Sequence, residues 1–327
     1  MKRRILLTAG AAFVATPDHA RAQAAKRVYR IGWLAPGSPT PENARLQDSF
    51  REGMRTLGHV EGRDYLIEFR WGQGRPETLP NLAEELVRLP SNVIVAVTSQ
   101  TAHAAKSATT EVPVLFVTPD PLSTGLVTNL AKPSGNVTGI TMVAGPDIIG
   151  KYLQLLIEVV PGATRIAMLW NETSPWQADM IREAEVKALG LRTGFEALAF
   201  RRGEEFEAIM SKAKATGVSA LVALPDATTF NFRKHLAELA LRDRLPLLLT
   251  HLEGAADGAL MAFATDLNAL FRRAASYADR LMKGATVGEL PVEQPTTFRL
   301  VINLKTAKAL GLVIPPAQLV RADEVIE

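Results

Sequence analysis

The chain has 327 residues, 47% hydrophobic and 22% charged, with no cysteine and a formal net charge of +3. That composition excludes a disordered, fibrous or polytopic chain and leaves room for two domains with separate cores. The missing cysteines exclude disulfides, thiolate nucleophiles, cysteine metal sites and a lipid-modified cysteine.

The opening MKRRILLTAGAAFVATPDHARAQA joins a basic start (Lys2, Arg3, Arg4) to an apolar stretch from Ile5 to Ala15 and an A-x-A site at Ala20 and Ala22. Residues 1–22 therefore read as a cleaved export signal, the apolar stretch being well short of the ~20 residues that span a bilayer. Arg3 and Arg4 leave both the general and the twin-arginine export routes open. Setting aside the signal's four basic residues and one acid leaves 33 residues of each sign, so the basic balance belongs to targeting. It gives no case for nucleic acid as a partner.

Past the signal, short apolar runs alternate with amphipathic stretches. YRIGWLA (29–35), DYLIEFRW (64–71), NVIVAVT (92–98) and VPVLFVT (112–118) are each followed by a helical pattern, the last by LSTGLVTNL, whose spacing predicts a short helix. From residue 164 the rhythm restarts with TRIAMLW, LRTGFEALAF, VSALVALP, LPLLLT and ALMAFAT, each strand pattern again leading into a polar or helical stretch. Continuous Val/Ile/Leu runs are the mark of strands buried on both faces. The sequence predicts two doubly wound, Rossmann-like α/β lobes with parallel sheets. Glycine-bearing GNVTGITMVAGPDIIG and the tail PVEQPTTFRLVINL are the predicted crossovers, with a hinge near Gly139, Gly145, Ala264 and Phe298. The predicted lobes are 26–144 with 265–297, and 145–264 with 298–327.

No phosphate loop, G-x-S-x-G elbow or H-E-x-x-H motif occurs, so no catalytic centre, cofactor or metal site is expected. Candidate residues instead lie where α/β proteins place ligands, at the carboxyl ends of strands. Ser99, Gln100 and Thr101 open a helix, where free N–H groups and hydroxyls suit a carboxylate; plain N-capping explains them equally. Asp120, between two prolines, is either an acceptor for a ligand amine or the anchor of an Asx turn. Ser38, after the first strand, joins the ligand-binding candidates. In the second lobe Trp170 and Asn171, Asp226 and Thr228, and His251 follow successive strands; singly they read as packing, capping and loop residues, and together as a cleft lining.

At this point the chain resembles the type I periplasmic substrate-binding proteins of ABC transporters, in the tryptophan-binding-protein-like branch. The resemblance spans almost the whole chain after the signal and is carried by PDPLSTGLVTNLAKPSGNVTG (119–139), KYLQLLIEVVPGATRIAMLWN (151–171) and VINLKTAKALGLVIPPAQLVRADEVIE (301–327). It implies an exported, periplasmic, monomeric receptor that captures a small organic ligand, an amino acid or related carboxylate or amide, for an inner-membrane permease and ATPase. By similarity Ser99, Gln100 and Thr101 match the helix start that holds a ligand carboxylate. Asp120 lies in the matching D-P turn, and Asn171 matches the Asn of the second lobe's first loop. Where the family's second-lobe loop often reads P-T-D-N-T this chain has PDATT (225–229), and His251 stands where an Asp is common, so tryptophan is not carried over. The alternatives are a periplasmic ligand sensor for a signalling partner and a periplasmic α/β enzyme; the latter needs an acid/base pair or nucleophile that the sequence does not display.

Overall fold

The computed structural model describes residues 28–145 and 147–327, so the predicted export signal lies outside the described residues. The first lobe is built from β1 (Tyr29–Ala35), α1 (Pro41–Thr56), β2 (Tyr65–Trp71), α2 (Leu79–Arg88), β3 (Val93–Val97), α3 (Ser99–Ala108), β4 (Val114–Thr118) and β5 (Val137–Thr141). All five strands are parallel, in the order β2-β1-β3-β4-β5. The second lobe starts at α4 (Ile148–Val159). It continues through β6 (Arg165–Asn171), α5 (Pro175–Gly190), β7 (Gly194–Phe200), α6 (Phe206–Ala215), β8 (Ala220–Ala223), α7 (Ala227–Asn231), α8 (Arg233–Arg242), β9 (Leu247–Leu249), α9 (Glu253–Ala256) and β10 (Met261–Thr265).

The chain then returns to the first lobe as α10 (Leu267–Met282) and ends in the second as β11 (Phe298–Asn303), α11 (Leu304–Leu310), α12 (Pro316–Arg321) and β12 (Glu324–Ile326). The second sheet runs β12-β11-β10-β9-β8-β6-β7, with β11 antiparallel to β10 and the other pairs parallel. The two lobes are thus α/β, and the chain passes between them three times. Among the described residues no helix is long and apolar enough to cross a membrane.

Helix α10 belongs to the first lobe's core because its apolar residues Leu270, Phe271, Ala274, Ala278 and Leu281 recur at helical spacing and are buried. Phe271 stacks on Trp33 of β1 at 5.6 Å, while Phe50 of α1 meets the same indole edge-on at 5.4 Å. The α1–α10 crossing is close because residue 53 is glycine: a Cβ there would lie 2.5 Å from the Arg272 carbonyl and 2.7 Å from the Ala275 Cβ.

Two sequence expectations change here. Residues 119–136 contain turns rather than the expected LSTGLVTNL helix. Asp120 Oδ1 accepts from the Leu122 and Ser123 N–H groups, Leu126 and Val127 both donate to the Pro121 carbonyl, and Gly125 turns at φ +67°. Local Asx-turn chemistry and the burial of Leu126 and Val127 outweigh the helical spacing. Gly139, expected at the hinge, instead lies inside β5, opposite Phe116 in register. Glycine is required there for close packing, since a Cβ would fall 2.1 Å from the Phe116 carbonyl oxygen. The connection itself is residues 142–147 and includes Gly145 at φ +90°. Ala264 is the penultimate residue of β10, and Phe298 opens β11, stacked on Phe263 at 5.5 Å.

Candidate ligand-binding site

The carboxyl ends of both sheets' parallel strands border the gap between lobes. One part of it, with charged groups in its wall, is a cavity of about 410 Å³, with Gly37, Thr40, Asn43 and Thr98 on the first lobe's side and Phe230, Arg233, Lys234 and Asp257 on the second's. Pockets of roughly 300–1,000 Å³ hold small organic ligands.

The first lobe's wall is shaped by two helix starts. Thr40 caps α1, its hydroxyl accepting from the Asn43 N–H at 3.2 Å, while Asn43 Nδ2 donates back to the Ser38 carbonyl at 2.8 Å. Ser38 itself is exposed and contributes that carbonyl to the loop; its neighbours Gly37 and Thr40, not Ser38, line the cavity. At the end of β3, Thr98 adopts φ +97° and ψ 161°, a region open to glycine and costly for a β-branched residue, by about 1–3 kcal/mol.

The three residues after Thr98 do not act together. Ser99 is half-buried and its hydroxyl meets that of Thr118 on the neighbouring strand in a short hydrogen bond. Thr101 is fully buried, and its hydroxyl donates to the Val97 carbonyl at 2.8 Å, with the Thr98 carbonyl at 3.0 Å. Gln100 points elsewhere: it lines a separate groove on the first lobe with Pro80, Glu84 and His103. The reason is helix geometry, since about 100° separates successive residues, so three consecutive side chains of α3 cannot share one face. Thr101 thus faces the core and Gln100 the separate groove, and neither lines this cavity.

The second lobe's wall is a chain of ring and charge contacts. The Arg233 guanidinium lies over the Phe230 ring at 4.5 Å and forms an ion pair with Asp257, Nε to Oδ2 2.7 Å. The His251 ring meets Phe230 edge-on at 5.1 Å, and its Nε2 is 3.4 Å from the Thr229 hydroxyl. Burial first, and the nearby Arg233 charge second, push the His251 imidazole down to about 4, against a smaller upward pull from a hydrogen bond with the Asp226 backbone. His251 is thus neutral at neutral pH.

Asp226 is the N-cap of α7: its carboxylate accepts from the Thr228 N–H at 2.7 Å and from Asn171 Nδ2 at 3.2 Å. Asn171 Oδ1 accepts from the Thr173 N–H and hydroxyl. Asn171, Asp226 and Thr228 are therefore brought together, as a structural network beside the cavity whose rim residue is Ala227. Trp170 is not at this wall. Its ring packs on the core beneath α4 and α5, and its buried indole N–H has no hydrogen-bond partner among the described residues.

Two further interlobe spaces adjoin. One of about 460 Å³ is lined by Asp120, Leu122, Ala144, Gly145, Trp176 and Asp179. The other, of only about 60 Å³, gathers residues of the crossovers, Met142, Ala264, Asp266 and Phe298, around His251. Sequence reasoning missed Thr98, Asn43, Phe230, Arg233, Asp257 and Trp176. The signal available for one pair was the three-residue spacing of Phe230 and Arg233, which a continuous helix would set side by side.

Two α/β lobes joined by three crossovers, with a cavity between the strand ends, define the type I periplasmic binding protein fold. Residues 41–326 match the family described as ABC transporter substrate binding protein, and the chain belongs to that family. It is 24% identical over 282 residues to the tyrosine-binding protein of Clostridioides difficile (strain R20291), covering 83% of this chain and 78% of that one. The ABC domain from Streptococcus pneumonia in complex with L-Trp superposes with a TM-score of 0.84 at 23% identity, covering 92% of this chain and all of the other. The ligand-free, open structure of a substrate-binding protein with adhesive properties from Clostridium difficile gives 0.72 at 21% identity, covering 91% and 99%. The protein is accordingly a solute-binding component of an ABC transporter and not an enzyme.

Proposed function

We propose that this protein is an exported, monomeric receptor that captures an amino acid or a related small carboxylate or amide between its lobes. It delivers the solute in the periplasm to an inner-membrane permease and its ATPase. The observation that carries the reading is the cavity of about 410 Å³ with Thr98 and Asn43 on one lobe and Phe230 and Arg233 on the other. A solute touching both walls binds the closed arrangement better than the open one, and that difference in affinity drives closure. The relatives' own ligands, tyrosine and L-Trp, support the size and polarity of the class. The export signal over residues 1–22 supports the location. In this reading the lobes divide at residues 144–145, 264–265 and 297–298, and the crossovers bend at Gly145, beside Ala264 and before Phe298.

A thermal-shift panel of L-tyrosine, L-tryptophan, L-phenylalanine, L-leucine, benzoate and benzamide tests the class. A binder present at 100 times its Kd adds about 2.7 kcal/mol, which for a chain of this size raises Tm by about 4 °C. A flat response to the whole panel would remove this solute class.

A further inference from the structure

Thr98 combines two properties that no capping or packing role explains: a backbone conformation suited to glycine and a place on the wall of the interlobe cavity. The conformation is imposed from both sides. Its N–H donates to the Val117 carbonyl of β4 at 3.0 Å, and its own carbonyl accepts from the Ala102 N–H at 3.1 Å. Strand pairing and the start of α3 thus fix the backbone, and glycine would occupy it without strain. A β-branched residue held there against that preference is the pattern of strain kept for function. Among the described residues, the Thr98 hydroxyl meets the Thr101 hydroxyl at 3.5 Å, the outer limit of a hydrogen bond, and the Thr101 proton already goes to Val97.

We propose that Thr98 is a specificity-determining residue that contacts the solute: its strained backbone sets the side chain on the cavity wall across from Phe230 and Arg233, where its hydroxyl donates to a carboxylate or carbonyl oxygen of the ligand. The assignment rests on the interlobe cavity being the solute site. It also separates two functions at this turn, since Thr101 holds the helix start and Thr98 reads the ligand.

The test uses the full mature chain, the panel compound giving the largest thermal shift, and four variants: Thr98→Gly, Thr98→Ala, Thr98→Ser and Phe230→Ala. Thr98→Gly raises the Tm of the ligand-free protein by a few degrees as strain is released, and weakens Kd about tenfold. Thr98→Ala weakens Kd to a similar extent, whereas Thr98→Ser, which keeps the hydroxyl, stays within about threefold of the parent. If Phe230→Ala weakens binding while all three Thr98 variants match the parent, the cavity is the site and the role of Thr98 is overturned. If only Thr98→Gly weakens binding, Thr98 acts through chain stiffness and the hydroxyl contact is overturned. If a panel compound binds the parent and none of the four variants alters its Kd, the cavity itself is not the solute site, and the underlying reading fails instead.

Discussion

Gly139→Ala is expected to lower stability by on the order of 3 kcal/mol, enough to lower Tm by roughly 5 °C. The added Cβ would lie 2.1 Å from the Phe116 carbonyl oxygen and 2.5 Å from the Phe116 ring. No rotamer change relieves a clash with backbone, so β5 must move away from β4 or lose pairing at Phe116–Gly139. Gly139 is not among the positive-φ residues, so alanine suffers no backbone strain there, and its stiffer unfolded chain returns only about 0.4–1 kcal/mol. Urea unfolding of the ligand-free protein checks this. A hinge glycine would behave differently, with unfolding nearly unchanged and ligand-driven closure altered; that outcome would reject the packing role assigned to residue 139.

His251 gives the second large effect, through pH. Its folded value is depressed to about 4, against about 6.5 for an ordinary histidine, by burial and by the Arg233 charge. Between those values the unfolded chain binds a proton that the folded one refuses, so stability falls as pH drops from about 6.5 toward 4. The contribution is fully present above pH 6.5. Its upper bound is about 3 kcal/mol, and the half-buried position of the ring reduces the realised value. Arg233 is the charge that acts on the ring, the Asp226 backbone hydrogen-bonds to it, and Glu253 and Asp266 line the small cavity with it. Comparing the parent with His251→Gln isolates the histidine, because both proteins share every other titration. The stability difference should shift in favour of the variant by about 1–3 kcal/mol between pH 7 and pH 4.5. Parallel stability curves would show that the imidazole is freely hydrated.

Much of the fold was legible because strands buried on both faces leave unbroken apolar runs. Tyr29–Ala35 is all of YRIGWLA, and Met261–Thr265 lies within ALMAFAT. The return of α10 to the first lobe was legible in its placement, while its partner surface, Gly53 against Arg272 and Ala275, needed three dimensions. The site was less legible. TTFNFRKHLAELALRD reads as one helix, yet it breaks at Phe232 into α7 and α8, and that break sets Phe230 and Arg233 at the cavity. Thr98 was hidden because a sequence carries no φ angle, and threonine at a strand end looks ordinary. Thr101 was drawn to the ligand by its type, although Thr101, Ala102 and Ala105 form the buried face of α3. The family resemblance was legible in three long stretches, 119–139, 151–171 and 301–327.

Small-angle scattering of the mature protein, alone and saturated with the best binder of the panel, tests the central claim most directly. A solute held between Thr98 on one lobe and Phe230 and Arg233 on the other should close the lobes about the crossovers near Gly145, Asp266 and residues 294–297 and reduce the radius of gyration. A radius that stays at the open, ligand-free value at saturation would contradict capture between the lobes.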